Sequence, residues 1–162
     1  MNNKKLANTE TRNTTKTEAR KPSALPRLQG SVLPRLQEKY SLYKSLTQQV
    51  IGLAINVHKK LGPGFVERLY QRAMYLELKN SGLKFQREKK IIVRYNNAII
   101  GYEQVDFDVE EKLLVELKAV SEIQDIHKAQ LLSYLKASGR KLGIIINFAK
   151  EIIEIKRVIN EK

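Results

Sequence analysis

The chain has 162 residues, with 30 Lys and Arg against 17 Asp and Glu, a net charge of +13, two histidines and no cysteine. This length closes one core without covalent staples, the missing thiols exclude disulfides and thiolate metal sites, and two distant histidines argue against a histidine-rich zinc centre. The basic excess is split nearly evenly between residues 1–50 and 51–162 and favours a polyanionic partner; with no bilayer-length apolar run and no signal-peptide core, a soluble cytoplasmic protein without a membrane partner is expected.

Residues 1–45 lack hydrophobic periodicity over their first half and are expected to form a basic, largely disordered arm, followed by a folded domain over residues 46–162. The arm carries a short duplication, Leu25-Pro26-Arg27-Leu28-Gln29 and Leu33-Pro34-Arg35-Leu36-Gln37, too brief for a repeat architecture. Val50, Ile51, Ala54, Val57, His58 and Leu61 follow helical spacing up to Gly62-Pro63-Gly64, and a second helix is expected from about Phe65 to Asn80, stopped by Ser81-Gly82. Residues 85–95 read as a strand, Asn96-Asn97 as a turn, and residues 99–109 and 112–119 as a hairpin around Glu110, Glu111 and Lys112. A helix from Asp125 or Ile126 to Ser138 and strands at 142–148 and 152–158 complete the order helix, helix, three strands, helix, two strands.

The segment 113–120, Leu-Leu-Val-Glu-Leu-Lys-Ala-Val, is apolar on both faces apart from Glu116 and Lys118, as a central strand would be. Charges are rarely placed in such a strand without a partner or a metal. A lone Glu-x-Lys on a strand is ordinarily a same-face ion pair; here the second acid changes the reading. With a three-residue loop Val109 faces Leu113 and Asp106 lies opposite Glu116, whereas a two-residue loop pairs Val105 with Glu116. Two carboxylates suit Mg²⁺, a hard cation that keeps several waters and accepts one or two protein ligands. Lys118 projects from the same face as Glu116 and can orient or deprotonate water and offset phosphate charge. Asp108 shares that alternation and is either a second ligand or a neighbour nearer the rim. In-line cleavage of a phosphodiester, which accumulates negative charge, requires such a set.

Gly64-Phe65-Val66-Glu67-Arg68-Leu69-Tyr70 matches the pattern Gly-x-x-Glu-x-x-Tyr, and residues 49–159 resemble the GxxExxY protein family, grouped with the PD-(D/E)XK nuclease superfamily. The resemblance implies an α/β, restriction-endonuclease-like αβββαβ core, a mixed central sheet flanked by helices. It makes Asp106 similar to the superfamily's metal-binding aspartate, Glu116 and Lys118 to its Glu-x-Lys element, and Glu67 to the acid on the preceding helix. Gln130 and Tyr134 resemble the Gln-x-x-x-Tyr element of the RecB-like branch. Val105-Asp106 stands where the superfamily is named for Pro-Asp.

Each helical residue also has a plainer role. Glu67 suits a helix start through the helix dipole, and Tyr70, one turn on, either orients that carboxylate or packs in the core. Gln130 and Tyr134 share a face and either support the site, with Gln130 on Lys118 or the water, or form a polar seam between helix and sheet. His58 is expected to pack near the site's edge, and His127 is a weaker candidate for a phosphate contact. The expected activity is Mg²⁺-dependent hydrolysis of nucleic acid, DNA before RNA, with Mn²⁺ as an alternative ion. Asp106, Glu116, Glu67 and the carbonyl of Leu117 would hold the metal, and Arg68, Arg72, Lys128 and Lys136 would contact the backbone. A homodimer, the N-terminal arm or a protein partner would supply specificity that so small a core lacks. The alternative is a catalytically inactive nucleic-acid-binding or protein-interaction domain on the same fold.

Overall fold

The structure, a computed structural model, describes residues 32–161; expectations for residues 1–31, the first Leu-Pro-Arg-Leu-Gln copy included, lie outside them. The elements are α1 (Val32–Leu61), α2 (Glu67–Asn80), β1 (Phe85–Tyr95), β2 (Ala98–Val109), β3 (Leu113–Lys118), α3 (Asp125–Ser138), β4 (Leu142–Asn147) and β5 (Glu154–Ile159). Their order is the one read from hydrophobic period, and the boundaries agree to within two residues from α2 onwards. The difference is at α1, which starts at Val32 and so takes in residues 32–45, assigned from sequence to the arm. Pro34 does not prevent this, because it stands in the first turn, where a helix has no use for the missing N–H.

Five strands form one mixed sheet in the order β1-β2-β3-β4-β5. All neighbours are antiparallel except β3 and β4, which run parallel and are joined by a crossover through α3, as parallel neighbours require. Val50, Ala54 and Val57 of α1 and Tyr70, Met74 and Leu78 of α2 bury against Phe107, Val115, Leu117, Ile144 and Ile146 on one face of the sheet. Leu131 and Leu135 of α3 cover Leu114 and Ile145 on the other. Both faces of β3 and β4 are therefore covered, which accounts for their near-continuous apolar sequence.

The β2–β3 register is Val109↔Leu113, Asp108↔Leu114 and Phe107↔Val115, the one a three-residue loop sets. Glu110 and Glu111 in that loop both have φ of 53°. The ladder stops at Phe107, where alternation along β2 slips. Phe107 packs in the α1/α2 layer while Val105, two residues away, packs in the α3 layer. On β1 the facing residue, between Arg87↔Phe107 and Lys89↔Val105, is Glu88, with φ of 51°. Asp106 sits at this kink, and β2 and β3 part there.

Candidate active site

Three elements converge on the fork between β2 and β3. Asp106 bridges it by accepting the backbone N–H of Leu117 on Oδ2 at 2.7 Å, so its carboxylate takes over a hydrogen bond that a continued ladder would have made. Its Oδ1 accepts Gln71 Nε2 from α2, also at 2.7 Å. The same amide reaches Glu67 Oε1 at 3.5 Å, one helical turn earlier. On β3, Lys118 Nζ donates to Glu116 Oε1 at 2.8 Å. Lys118 is itself registered against Asn147 of β4, whose buried side chain holds the following loop through Val120 N–H at 3.1 Å and Val120 O at 2.7 Å.

Three carboxylates thus face one ammonium. Burial, then the charges of Glu116 and Glu67, push Asp106 up to about 7 against the Leu117 hydrogen bond and Lys118, which lower it. Glu116 is also raised, because burial outweighs its hydrogen bond to Lys118. Burial alone would lower Lys118, but the hydrogen bond to Glu116 and the charges of Glu116, Glu67 and Asp106 exceed it, and the ammonium is held above its ordinary range. Lys118 is therefore the compensated partner and the acids are the uncompensated ones. Glu116 Oε2 is buried with no hydrogen-bond partner, a costly state for a carboxylate oxygen.

The model of the PD-(D/E)XK nuclease superfamily matches residues 44–158, well over half of the chain and all of the elements that build this fork. The chain belongs to the PD-(D/E)XK nuclease superfamily. Solved structures similar to it include SSO0001, at a TM-score of 0.50 and 15% identity over 57% of this chain and 49% of that one. An alkaline exonuclease from Laribacter hongkongensis aligns at a TM-score of 0.43 and 14% identity over 58% of this chain and 55% of its own. The chain spans about half the length of each. No curated protein is a significant match.

A divalent cation fits the superfamily fork as it is built here. Among the described residues no three His, Cys, Asp or Glu side chains form a ready cage, and Gln71, Leu117 N–H and Lys118 engage both oxygens of Asp106 and one of Glu116. Mg²⁺, however, takes one or two carboxylates and completes its shell with water. The unpartnered Glu116 Oε2 beside a carboxylate pushed up to about 7 is the environment such an ion relieves.

Tyr70 does not bond Glu67. Its hydroxyl donates to Gly62 O at 2.8 Å and accepts Phe65 N–H at 3.2 Å, and its ring stacks on Phe148 at 4.6 Å. Tyr134 donates to Glu103 Oε2 at 3.2 Å and accepts Gln130 Nε2 at 2.7 Å. Burial, with the charges of Glu103 and Glu116, pushes its phenol up to about 12. Gln130 is thus engaged with Tyr134 and not with Lys118. Asp108 is turned to Arg140, which reaches its Oδ2 at 2.9 Å through Nη2. His58 holds Lys150 O at 2.8 Å and packs on Phe148. His127 caps α3 by accepting Gln124 N–H on Nδ1. Arg68, Arg72 and Lys136 are exposed, and Lys128 pairs with Asp125 at 2.6 Å. Sequence reasoning missed Gln71, Glu103 and Asn147; only Gln71, four residues after Glu67, left a spacing signal. A cavity of about 540 Å³ beside the β2–β3 turn, lined by Phe85, Asp108, Glu110 and Lys112 among others, includes none of the fork residues.

Proposed function

We propose that the protein hydrolyses phosphodiester bonds of nucleic acid with Mg²⁺, or Mn²⁺ in its place, and that its substrate is DNA. The observation that carries this reading is the unpartnered buried Glu116 Oε2 next to Asp106 and the charged Lys118 on a doubly covered strand. Asp106 and Glu116 hold the ion, with Glu67 and the carbonyl of Leu117 as further donors. When bound, the ion supplies positive charge for the phosphoryl oxygens and lowers the pKa of the attacking water. Gln71 and Leu117 N–H orient the Asp106 carboxylate. Lys118, held as an ammonium, donates to a non-bridging oxygen as negative charge builds. Arg68 and Arg72, exposed on α2 one residue beyond Glu67 and Gln71, together with Lys128 and Lys136 on α3, contact the backbone phosphates. DNA is favoured over RNA by analogy with the superfamily alone.

Within the superfamily we assign the chain to the GxxExxY branch, and the structure gives its motif a physical sense. Gly64, with φ of 107°, permits the turn before α2, and Tyr70 fastens that turn from inside through Gly62 and Phe65. Glu67 is thereby delivered at the first position of α2, facing the fork. The test is cleavage of labelled single-stranded, duplex and branched DNA, and of RNA, by wild type, Lys118→Ala and Asp106→Asn, with Mg²⁺, Mn²⁺ or EDTA. Metal-dependent cutting abolished in both variants is expected. Salt-sensitive binding without cutting under any metal would instead make the protein a binding domain on this fold.

A further inference from the structure

The hairpin of β1 and β2 extends beyond the sheet. The β2–β3 ladder begins only at Phe107, so residues 89–105 of the hairpin pair solely with one another among the strands. The outer part is a two-stranded arm closed by Asn96-Asn97, whose φ values of 46° and 67° fit a two-residue hairpin turn. Its faces differ. Ile91 and Val105 bury against α3, and Glu103, opposite Ile91, is turned that way onto Tyr134. Alternation puts Lys90↔Gln104 and Ile92↔Tyr102 on the opposite face, where no described residue covers them: Tyr102 is 61% and Ile92 41% exposed, and Ile99, facing Arg94 beyond the bulge, is 48% exposed. A contiguous aromatic and aliphatic patch of this kind marks a contact surface.

We propose that this open face is a stacking platform for unpaired bases of a single DNA strand, which it aligns with the fork. The proposal rests on the nuclease reading of that fork and adds the form of substrate. Three features select the occupant. The polar flank of the patch is basic: Lys90 lies between it and the fork and Arg94 stands near the tip, while Glu103 faces α3. The platform continues directly into the site, since Tyr102 and Asp106 are four residues apart on one strand, roughly 13 Å. A phenol ring beside aliphatic side chains and cations is the combination on which bases of any sequence stack while phosphates are neutralised. A second copy is a poor occupant, because it would bring Lys90 and Arg94 against their own equivalents in a chain of net charge +13.

The test separates the platform from the fork. Binding of a labelled 12-nucleotide strand and of its blunt duplex is measured by fluorescence anisotropy in EDTA. Hydrolysis of bis(p-nitrophenyl) phosphate, a phosphodiester without bases, is measured with Mn²⁺. The proteins are wild type, Tyr102→Phe and the double variant Ile92→Thr/Tyr102→Thr, whose β-branched replacements suit exposed strand positions. Wild type is expected to prefer the single strand about tenfold. The double variant should lose about tenfold on the single strand with duplex binding and small-diester hydrolysis unchanged, and Tyr102→Phe should retain both. Ultraviolet crosslinking of a 5-bromouracil strand to Tyr102 gives the same reading without substitution. Equal loss on strand and duplex, no loss on either, or a Tyr102-dependent dimer in sedimentation would overturn the proposal. Wild-type binding of this form without hydrolysis of the small diester, or of the labelled strand once Mn²⁺ replaces EDTA, would leave the platform standing and remove the nuclease reading.

Discussion

Gln71 on α2 and Asp106 on β2 are joined by a 2.7 Å hydrogen bond from Nε2 to Oδ1, which leaves the Asp106 carboxylate fixed at both oxygens, the other being held by Leu117 N–H. Groups that orient a metal-binding carboxylate typically contribute 10–100-fold to affinity or activity. Gln71→Leu should therefore raise the Mg²⁺ concentration giving half-maximal cleavage about tenfold, with kcat at saturating metal largely kept. A metal titration of activity checks this; an unchanged curve would remove Gln71 from the site.

The raised pKa of Asp106 sets a pH dependence of stability. Its folded value is about 7 against an ordinary value of 3.8, so between these the folded state binds more protons than the unfolded state, and stability falls as pH rises. The contribution is fully present below about pH 4 and lost above about pH 7, and Glu116, also raised, acts in the same direction. In EDTA, wild type should unfold at lower urea at pH 8 than at pH 5.5, and Asp106→Asn should flatten that difference. Added Mg²⁺ should stabilise wild type more at pH 8 than at pH 5.5, because metal and proton compete for the same carboxylates. Parallel pH profiles for the two proteins in EDTA would refute the assignment.

Local patterns carried most of the architecture. Apolar spacing located α2 and α3, alternation and Asn96-Asn97 located the β1–β2 hairpin, and the loop length of Glu110, Glu111 and Lys112 set the register that brings Asp106 toward Glu116. Long-range polar partners left no such trace. Arg140 meets Asp108 across 32 residues and Tyr134 meets Glu103 across 31, and neither spacing has a period. The slip of alternation at Asp106 was equally illegible, because Val105 and Phe107 are both apolar and fit either layer. The start of α1 was missed because Leu33-Pro34-Arg35 has the composition of a linker, although proline in a first helical turn is compatible with helix.

Close packing of α3 on the sheet depends on Gly143 in β4. A Cβ there would lie 2.8 Å from Leu131 Cδ2 and 3.0 Å from its Cγ, and Leu131 is fully buried, so it has little room to move. Gly143→Ala should destabilise by about 1–3 kcal/mol, the usual cost of overpacking. Leu131→Val in the same chain should restore part of the loss, measured by urea unfolding. A neutral Gly143→Ala would show that α3 can withdraw freely.

Asp108 and Arg140 form a partly buried ion pair at 2.9 Å, which we propose serves stability rather than the chemistry. Asp108 is 2% exposed and accepts both Nε, at 3.3 Å, and Nη2, at 2.9 Å, of Arg140 on the same oxygen, while its Oδ1 has no partner. Removing the guanidinium leaves a buried carboxylate without compensation, which typically costs about 3–5 kcal/mol. Replacing both members by apolar side chains removes the desolvation penalty together with the attraction. Arg140→Ala should thus be strongly destabilising in urea and Asp108→Leu/Arg140→Leu much less so, with cleavage per folded molecule unchanged in the double variant. If the double variant folds but loses cleavage at saturating metal, Asp108 takes part in the chemistry after all, as its shared alternation with Asp106 first suggested.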